Sequence, residues 1–187
     1  GYPFIDVSGT HREIGRKVVG AMRVSILGHL RHTGDYRGGI EFLEGSGGEA
    51  VDRMFSHARD AFPHLVEELE GMAEALEISP MNLFAFNCRS EVKILKDPPG
   101  CSTIAIKRGG SAVLVHNEDG SDLNVGRMFV ARVTPPSGVT FLAFVYPGLL
   151  PGNGPGLNSR GIVQTTNYIQ PRQVADGIPR YFISRAM

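Results

Sequence analysis

The stretch Gly100-Cys101-Ser102-Thr103-Ile104-Ala105-Ile106-Lys107-Arg108-Gly109-Gly110-Ser111-Ala112-Val113-Leu114-Val115-His116-Asn117-Glu118-Asp119 decides the fold. Two runs rich in aliphatic residues flank Gly109-Gly110, a pair suited to a two-residue hairpin turn because glycine adopts positive φ at no steric cost. Pairing Arg108 with Ser111 fixes every other partner. Ile104 then faces Val115, Ile106 faces Val113, Cys101 comes opposite Glu118, and Gly100 comes opposite Asp119. Ile104, Ile106, Val113 and Val115 share one apolar face, which is expected to be buried. Strict alternation puts His116 and Glu118 on the Cys101 face and turns Asp119 away. A bulge or strand end at Asn117 would bring Asp119 round instead.

Upstream of Pro98 the chain reads as helical. Thr10 and Glu13 form a capping-box pattern, and Ile14, Val18, Met22 and Ile26 recur at helical spacing through His29. Gly34 to Gly48 is rich in glycine and reads as a loop. Val51, Phe55, Phe62, Leu65, Leu69 and Met72 mark a second helical region, interrupted near Pro63. Its acidic residues Glu67, Glu68, Glu70 and Glu74 read as a solvated surface. Ser79-Pro80 opens a third helix through Leu83, Phe84, Phe86, Ile94 and Leu95, which Asp97-Pro98-Pro99 ends. Downstream of the hairpin, Met128 to Val133, Val139 to Tyr146 and Gly161 to Thr166 are strand-like, and all the strands are expected to pair antiparallel. The glycine-rich stretch Gly152 to Gly156 lacks the helix and Lys-Ser/Thr of a phosphate loop and reads as a mobile loop beside the site. Phe141, Phe144 and Tyr146 belong to the core or line an acyl pocket. The last residues look like the middle of an amphipathic helix without a stop signal, so the natural protein is expected to continue past Met187.

Composition narrows the function. Nineteen basic and nineteen acidic residues cancel among 187, and no basic stripe interleaves with aromatics, which argues against a nucleic-acid partner. No apolar run approaches the roughly 18 residues of a membrane span, and Gly1 to Thr10 is not a secretory signal. The two cysteines, Cys88 and Cys101, suit a reducing compartment, so a cytoplasmic location is expected. His29 and His32 have no Cys, Asp or Glu set at ligand spacing, and neither a metal nor a cofactor is expected.

The Gly100-Cys101 pair suggests a particular chemistry. A thiol can attack the carbonyl of its own preceding peptide, and glycine there removes the side chain that would resist the distorted, closely approached backbone. Hydrolysis would leave Cys101 with a free α-amine whose pKa of about 7.7 to 8.0, against about 8.5 for the thiol, suits it to take the thiol proton. One residue then supplies nucleophile and base. The plain alternative is a small buried thiol followed by an Asp119-Gly120 turn.

Several stretches in order resemble the acyl-CoA:6-aminopenicillanate acyltransferase family, also called isopenicillin N acyltransferase-like proteins, of the N-terminal-nucleophile hydrolases. They are Val7 to Gly15, with a glycine followed by Glu-x-Gly at the start of a helix; Gly100-Cys101-Ser102-Thr103; Asn117-Glu118-Asp119; and Gly156-Leu157-Asn158-Ser159-Arg160-Gly161-Ile162 with Asn167. The resemblance implies an α+β fold, the four-layer αββα sandwich, in which residues 1–100 are an α-rich pro-segment or small subunit and 101–187 begin a β-rich catalytic subunit. It also implies cleavage between Gly100 and Cys101, with Cys101 as nucleophile, Asp119 positioning its amine or thiol, and Asn167 contributing to the oxyanion hole. A second oxyanion Asn is expected beyond Met187. The substrate would be a small N-acyl or peptide-like amide, with an acyl-CoA as co-substrate if transfer dominates. The two cleaved fragments would be each other's partners, and a homo-oligomer fits the scheme. Glu118, in place of an aromatic residue, and His116, where bile-salt and penicillin V hydrolases tend to carry Arg, point away from those two substrate classes. The alternatives are an inert relative with a binding or structural role and a conventional Cys-His hydrolase.

Overall fold

Thr10 starts the longest helix through the capping box read from the sequence. Its side chain accepts from Glu13 N while the Glu13 carboxylate accepts from Thr10 N at 2.8 Å. The computed structural model describes residues 1–92, 100–167 and 177–187. Strand β1 spans Phe4–Ser8, and the helices that follow are α1 (His11–His32), α2 (Gly34–Glu44), α3 (Gly48–Ala61), α4 (Pro63–Leu76), α5 (Pro80–Asn87) and the short α6 (Arg89–Val92). Then come β2 (Ser102–Arg108), β3 (Ser111–Asn117), β4 (Phe129–Thr134), β5 (Phe141–Val145), β6 (Gly156–Asn158), β7 (Val163–Gln164) and α7 (Arg180–Ala186). The chain is thus mixed α+β.

Helices α1 and α4 form the main helical contact, burying Ile14, Val18, Ile26, Leu69 and Met72 completely or nearly so. Each such side chain contributes about 1.5–3 kcal/mol. Two glycines allow the close approach. A β-carbon on Gly15 would overlap the Glu68 carbonyl oxygen and lie 2.8 Å from Met72 N, and one on Gly71 would overlap the Arg12 carbonyl. Gly9 has φ +134°, where a side chain would be strained and its β-carbon would lie 2.6 Å from Glu13 Oε2. The Gly-then-Glu-x-Gly pattern is therefore a strained turn, a cap and a helix crossing.

The acidic face of α4 is a solvated surface only in part: Glu67 and Glu74 are exposed, Glu70 is half-buried and Glu68 is buried. Glu70 and Glu74 pair with Arg12, and Glu74 also with Arg16 at 2.6 Å. The Arg16 hydrogen bond, more than any other contact, holds the Glu74 carboxyl below its ordinary value. Glu68 is fully buried, 2.9 Å from His11 Nδ1 and 3.1 Å from Arg185 Nη2. These carboxylates line the seam between α1 and α4 because the arginines of α1 face them.

Two helical expectations need correction. Gly34 to Glu44 is helix α2 rather than loop, since Thr33 caps it through Asp35 N at 3.3 Å, while its buried Gly39 leaves space for the backbone at Ala85 on α5. The third helix breaks at Cys88, and α6 follows as a separate turn. Ile94, Leu95 and the stop at Asp97-Pro98-Pro99 lie outside the described residues. Pro63 does divide the second region, occupying the first turn of α4, where its missing N–H costs nothing.

The five-stranded sheet has the order β1-β4-β5-β6-β7. Its pairs after Gly100 are antiparallel, as read for those runs, and β1, upstream of them, runs parallel to β4. Neither β1 nor β6 was read from the sequence as a strand. Phe129, Ala131, Val133, Ala143 and Val145 point inward and meet Phe84 and Phe182, so one apolar core runs through residues on both sides of Gly100.

Strands β2 and β3 form a separate hairpin in the expected register, from Arg108↔Ser111 through Ile104↔Val115 to Ser102↔Asn117, with Gly109 at φ +59°. Its apolar face is not buried: Ile104 is 60% and Val115 51% exposed, because no other described element packs there. Ile104→Thr or Val113→Thr in this chain is therefore expected to change unfolding free energy by less than about 0.5 kcal/mol. Thermal or urea unfolding checks it; a loss above about 2 kcal/mol, the cost of a core truncation, would contradict the exposure. Among the described residues no helix is long and apolar enough to cross a membrane.

Candidate active site

The hairpin register brings the chemical groups together. Cys101 precedes β2, while His116 ends the alternation of β3 and Glu118 follows it two residues on. A donor atom from each of the three lies within 4.8 Å of the others. The ladder runs without a bulge to Ser102↔Asn117, where β3 ends, the second arrangement considered above; past that end Glu118 comes within 4.8 Å of Cys101, and Asp119 lines the same cavity. Asp119 stands instead beside Gly100, where a β-carbon would lie 3.8 Å from Asp119 Oδ2. Its other oxygen accepts from Asn117 Nδ2 at 3.0 Å.

Asn167 reaches the same point from beyond β7. Its Nδ2 donates to the Cys101 carbonyl at 3.2 Å, and its Oδ1 accepts from Thr103 Oγ1 at 2.7 Å. Thr103 also contacts His116 Nδ1 at 2.9 Å and Thr165 Oγ1 at 3.0 Å. His116 Nε2 lies 2.6 Å from Glu118 Oε2, and the Tyr146 hydroxyl donates to Glu118 Oε1. Burial first, and the Glu118 carboxylate second, push the Tyr146 phenol far above its ordinary value, so it stays a donor. The sequence showed His116 and Glu118 through alternation on a strand. It named Tyr146 only as core or pocket lining, with no signal for its hydrogen bond to Glu118 or for Thr103 as a bridge.

The two thiols differ sharply. Cys88 is fully buried and its thiol is pushed well up, chiefly by burial, whereas Cys101 is half-buried on the wall of a cavity of about 240 Å³. Glu118, Asp119, Tyr146, Asn153 and Gly154 share that wall. The glycine-rich loop thus borders the cavity, but Asn153 is only 4% exposed, and its Oδ1 is a buried acceptor without a partner among the described residues. Of the aromatics, Tyr146 lines this cavity, Phe141 lines a different one, and Phe144 packs edge-on against Tyr2 at 4.7 Å. An accessible thiol, carboxylates and an amide donor converging on one cavity wall are the parts that acyl-transfer chemistry uses.

Comparison with known proteins returns that same class. Residues 106–187 match the acyl-coenzyme A:6-aminopenicillanic acid acyl-transferase family, the same family that the sequence motifs resemble. The chain is also similar to the beta-alanyl-dopamine/carcinine hydrolase of Drosophila melanogaster, with 27% identity over 207 aligned residues, covering 99% of this chain and 53% of the relative. The chain spans about half the length of this curated relative.

Proposed function

We propose that this chain belongs to a self-processing cysteine amidohydrolase or acyltransferase of the N-terminal-nucleophile type. The carrying observation is the convergence of Asn167 on Cys101, with Nδ2 at 3.2 Å from the Cys101 carbonyl. In maturation the Cys101 thiol attacks the Gly100 carbonyl, the peptide nitrogen leaves as the Cys101 α-amine, and water hydrolyses the resulting thioester to give a Gly100 carboxylate. Asp119, beside Gly100, then holds the new ammonium. Residues 1–100 remain as a small subunit packed on a catalytic subunit that starts at Cys101, within the four-layer αββα sandwich of the whole protein.

In turnover the α-amine takes the thiol proton and the thiolate attacks the carbonyl of a small N-acyl amide. The Asn167 amide stabilises the oxyanion, the amine departs with the proton, and an acyl-thioester remains on Cys101. Water completes hydrolysis; an amine acceptor, or an acyl-CoA donor in the loading step, would make the enzyme a transferase. The relative's name directs attention to amides of β-alanine with small amines. A Cys-His route through His116 fits less well, because both ring nitrogens are already engaged, by Thr103 and Glu118.

Rapid-quench mass spectrometry with an N-acyl amide should find one acyl group on the fragment beginning at Cys101. Asn167→Ala should lower kcat by about 10²–10³-fold, the usual effect of losing one oxyanion donor. An unchanged kcat would remove Asn167 from the mechanism, and turnover without an acyl adduct on this fragment would remove the thioester.

A further inference from the structure

We propose that Cys101, His116 and Glu118 form a zinc site. A thiol, an imidazole and a carboxylate, each half-buried, present donor atoms within 4.8 Å of one another. These are the three donor types that zinc takes, with bonds of about 2.0–2.3 Å, so a tetrahedral set has edges of about 3.3–3.8 Å. Gathering this trio around an ion brings the Cys101 sulfur in by about an ångström and opens His116 Nε2 and Glu118 Oε2 from 2.6 Å to about 3.3 Å. The expectation of no metal rested on spacing along the chain, and this set is assembled across a hairpin instead.

Two further observations point to a cation. The Thr103 hydroxyl donates to Asn167 Oδ1 at 2.7 Å, so toward His116 Nδ1, at 2.9 Å, its oxygen acts as acceptor and that nitrogen carries the hydrogen. His116 Nε2 then turns a lone pair toward Glu118 Oε2 2.6 Å away, two acceptors that a proton bridges at this separation and that a metal ion would bridge once they open to about 3.3 Å. Each ligand is also supported from behind, as zinc ligands are: the imidazole by Thr103, and the Glu118 carboxylate by the Tyr146 hydroxyl on Oε1. The fourth position would open on the cavity of about 240 Å³, which has room for water. A thiolate and an imidazole select zinc over magnesium, which prefers oxygen ligands.

Binding releases the thiol proton and commits a sulfur lone pair to the metal, so a zinc-loaded Cys101 cannot attack a carbonyl. That silencing rests on Cys101 being the nucleophile; the binding does not. Metal-free full-length protein titrated with Zn²⁺ against a chromogenic chelator should take up about one equivalent per chain, with Mg²⁺ failing to compete. Cys101→Ala and Glu118→Gln should each weaken the apparent Kd at least about 10-fold, while Cys88→Ser leaves it unchanged. Zn²⁺ should also slow iodoacetamide labelling of Cys101 by about 10-fold or more, reversibly with chelator. Substoichiometric uptake, or a Kd unmoved by both Cys101→Ala and the isosteric Glu118→Gln, would overturn the site. A protein that binds zinc in this way but never cleaves or turns over amides would overturn the proposed function and leave the zinc site standing.

Discussion

Replacing Cys101 by alanine is expected to lower amide turnover by at least about 10³-fold and to abolish self-cleavage, since the change removes the attacking atom of both reactions. The half-buried setting of Cys101 makes this a chemical loss and not a folding one, because the thiol has no core packing to forfeit. Steady-state kinetics alongside thermal unfolding separates the two. Activity should vanish while the melting temperature stays within about 2 °C. The matched change at Cys88 should behave in the opposite way. That sulfur is fully enclosed and its thiol is kept neutral by burial, so Cys88→Ser costs stability and leaves the chemistry at Cys101 intact. Turnover that survives Cys101→Ala would take the reaction away from this cavity.

The second large effect is expected at a residue far from the chemistry. Gly15→Ala adds one methyl group where the α4 backbone passes, overlapping the Glu68 carbonyl and 2.8 Å from Met72 N. The obstacle is main chain on a packed helix, which cannot rotate away as a side chain can. Helices α1 and α4 must separate, loosening the contacts of Ile14, Val18 and Leu69 together with the Glu68 pairs to His11 and Arg185. Overpacking of this kind costs about 1–3 kcal/mol and more where backbone opposes backbone, so a loss of about 3 kcal/mol is expected in urea unfolding. In an exposed helix the same substitution would stabilise by up to about 1 kcal/mol. The sign of the change therefore tests whether the crossing is as close as described.

What the sequence disclosed followed from how local each determinant is. The hairpin register was legible from Gly109-Gly110 because a two-residue turn fixes all later partners by counting. The cap at Thr10 was legible because both its partners lie within four residues. Helix α2 was not: glycine-rich Gly34 to Gly48 looks like loop, and of the α2 glycines only Gly39 packs on α5, while Gly34 and Gly38 face open space. Strand β1 was missed because its partner β4 lies more than a hundred residues away and the pairing is parallel, so no turn announces it. The exposed face of Ile104 and Val115 shows the converse limit: alternation tells which residues share a face, and not what covers that face. Within the candidate site, Cys101 was legible from Gly-Cys and the resemblance, and Asn167 from the resemblance alone. The choice between Glu118 and Asp119 was read through a bulge or strand end at Asn117, and the strand does end there without a bulge. The structure gives each carboxylate a different neighbour, Glu118 with Cys101 and Asp119 with Gly100. Tyr146 and Thr103 required three dimensions, since their roles lie in hydrogen bonds to residues on other elements.

The central claim is that Cys101 becomes the first residue of its own chain, and denaturing mass spectrometry of purified full-length protein tests it most directly. The expected result is two fragments whose masses sum to the intact protein plus one water, the second beginning Cys101-Ser102-Thr103, with only the intact chain present in Cys101→Ala. A wild-type protein that remains a single uncut chain and still hydrolyses amides would contradict it.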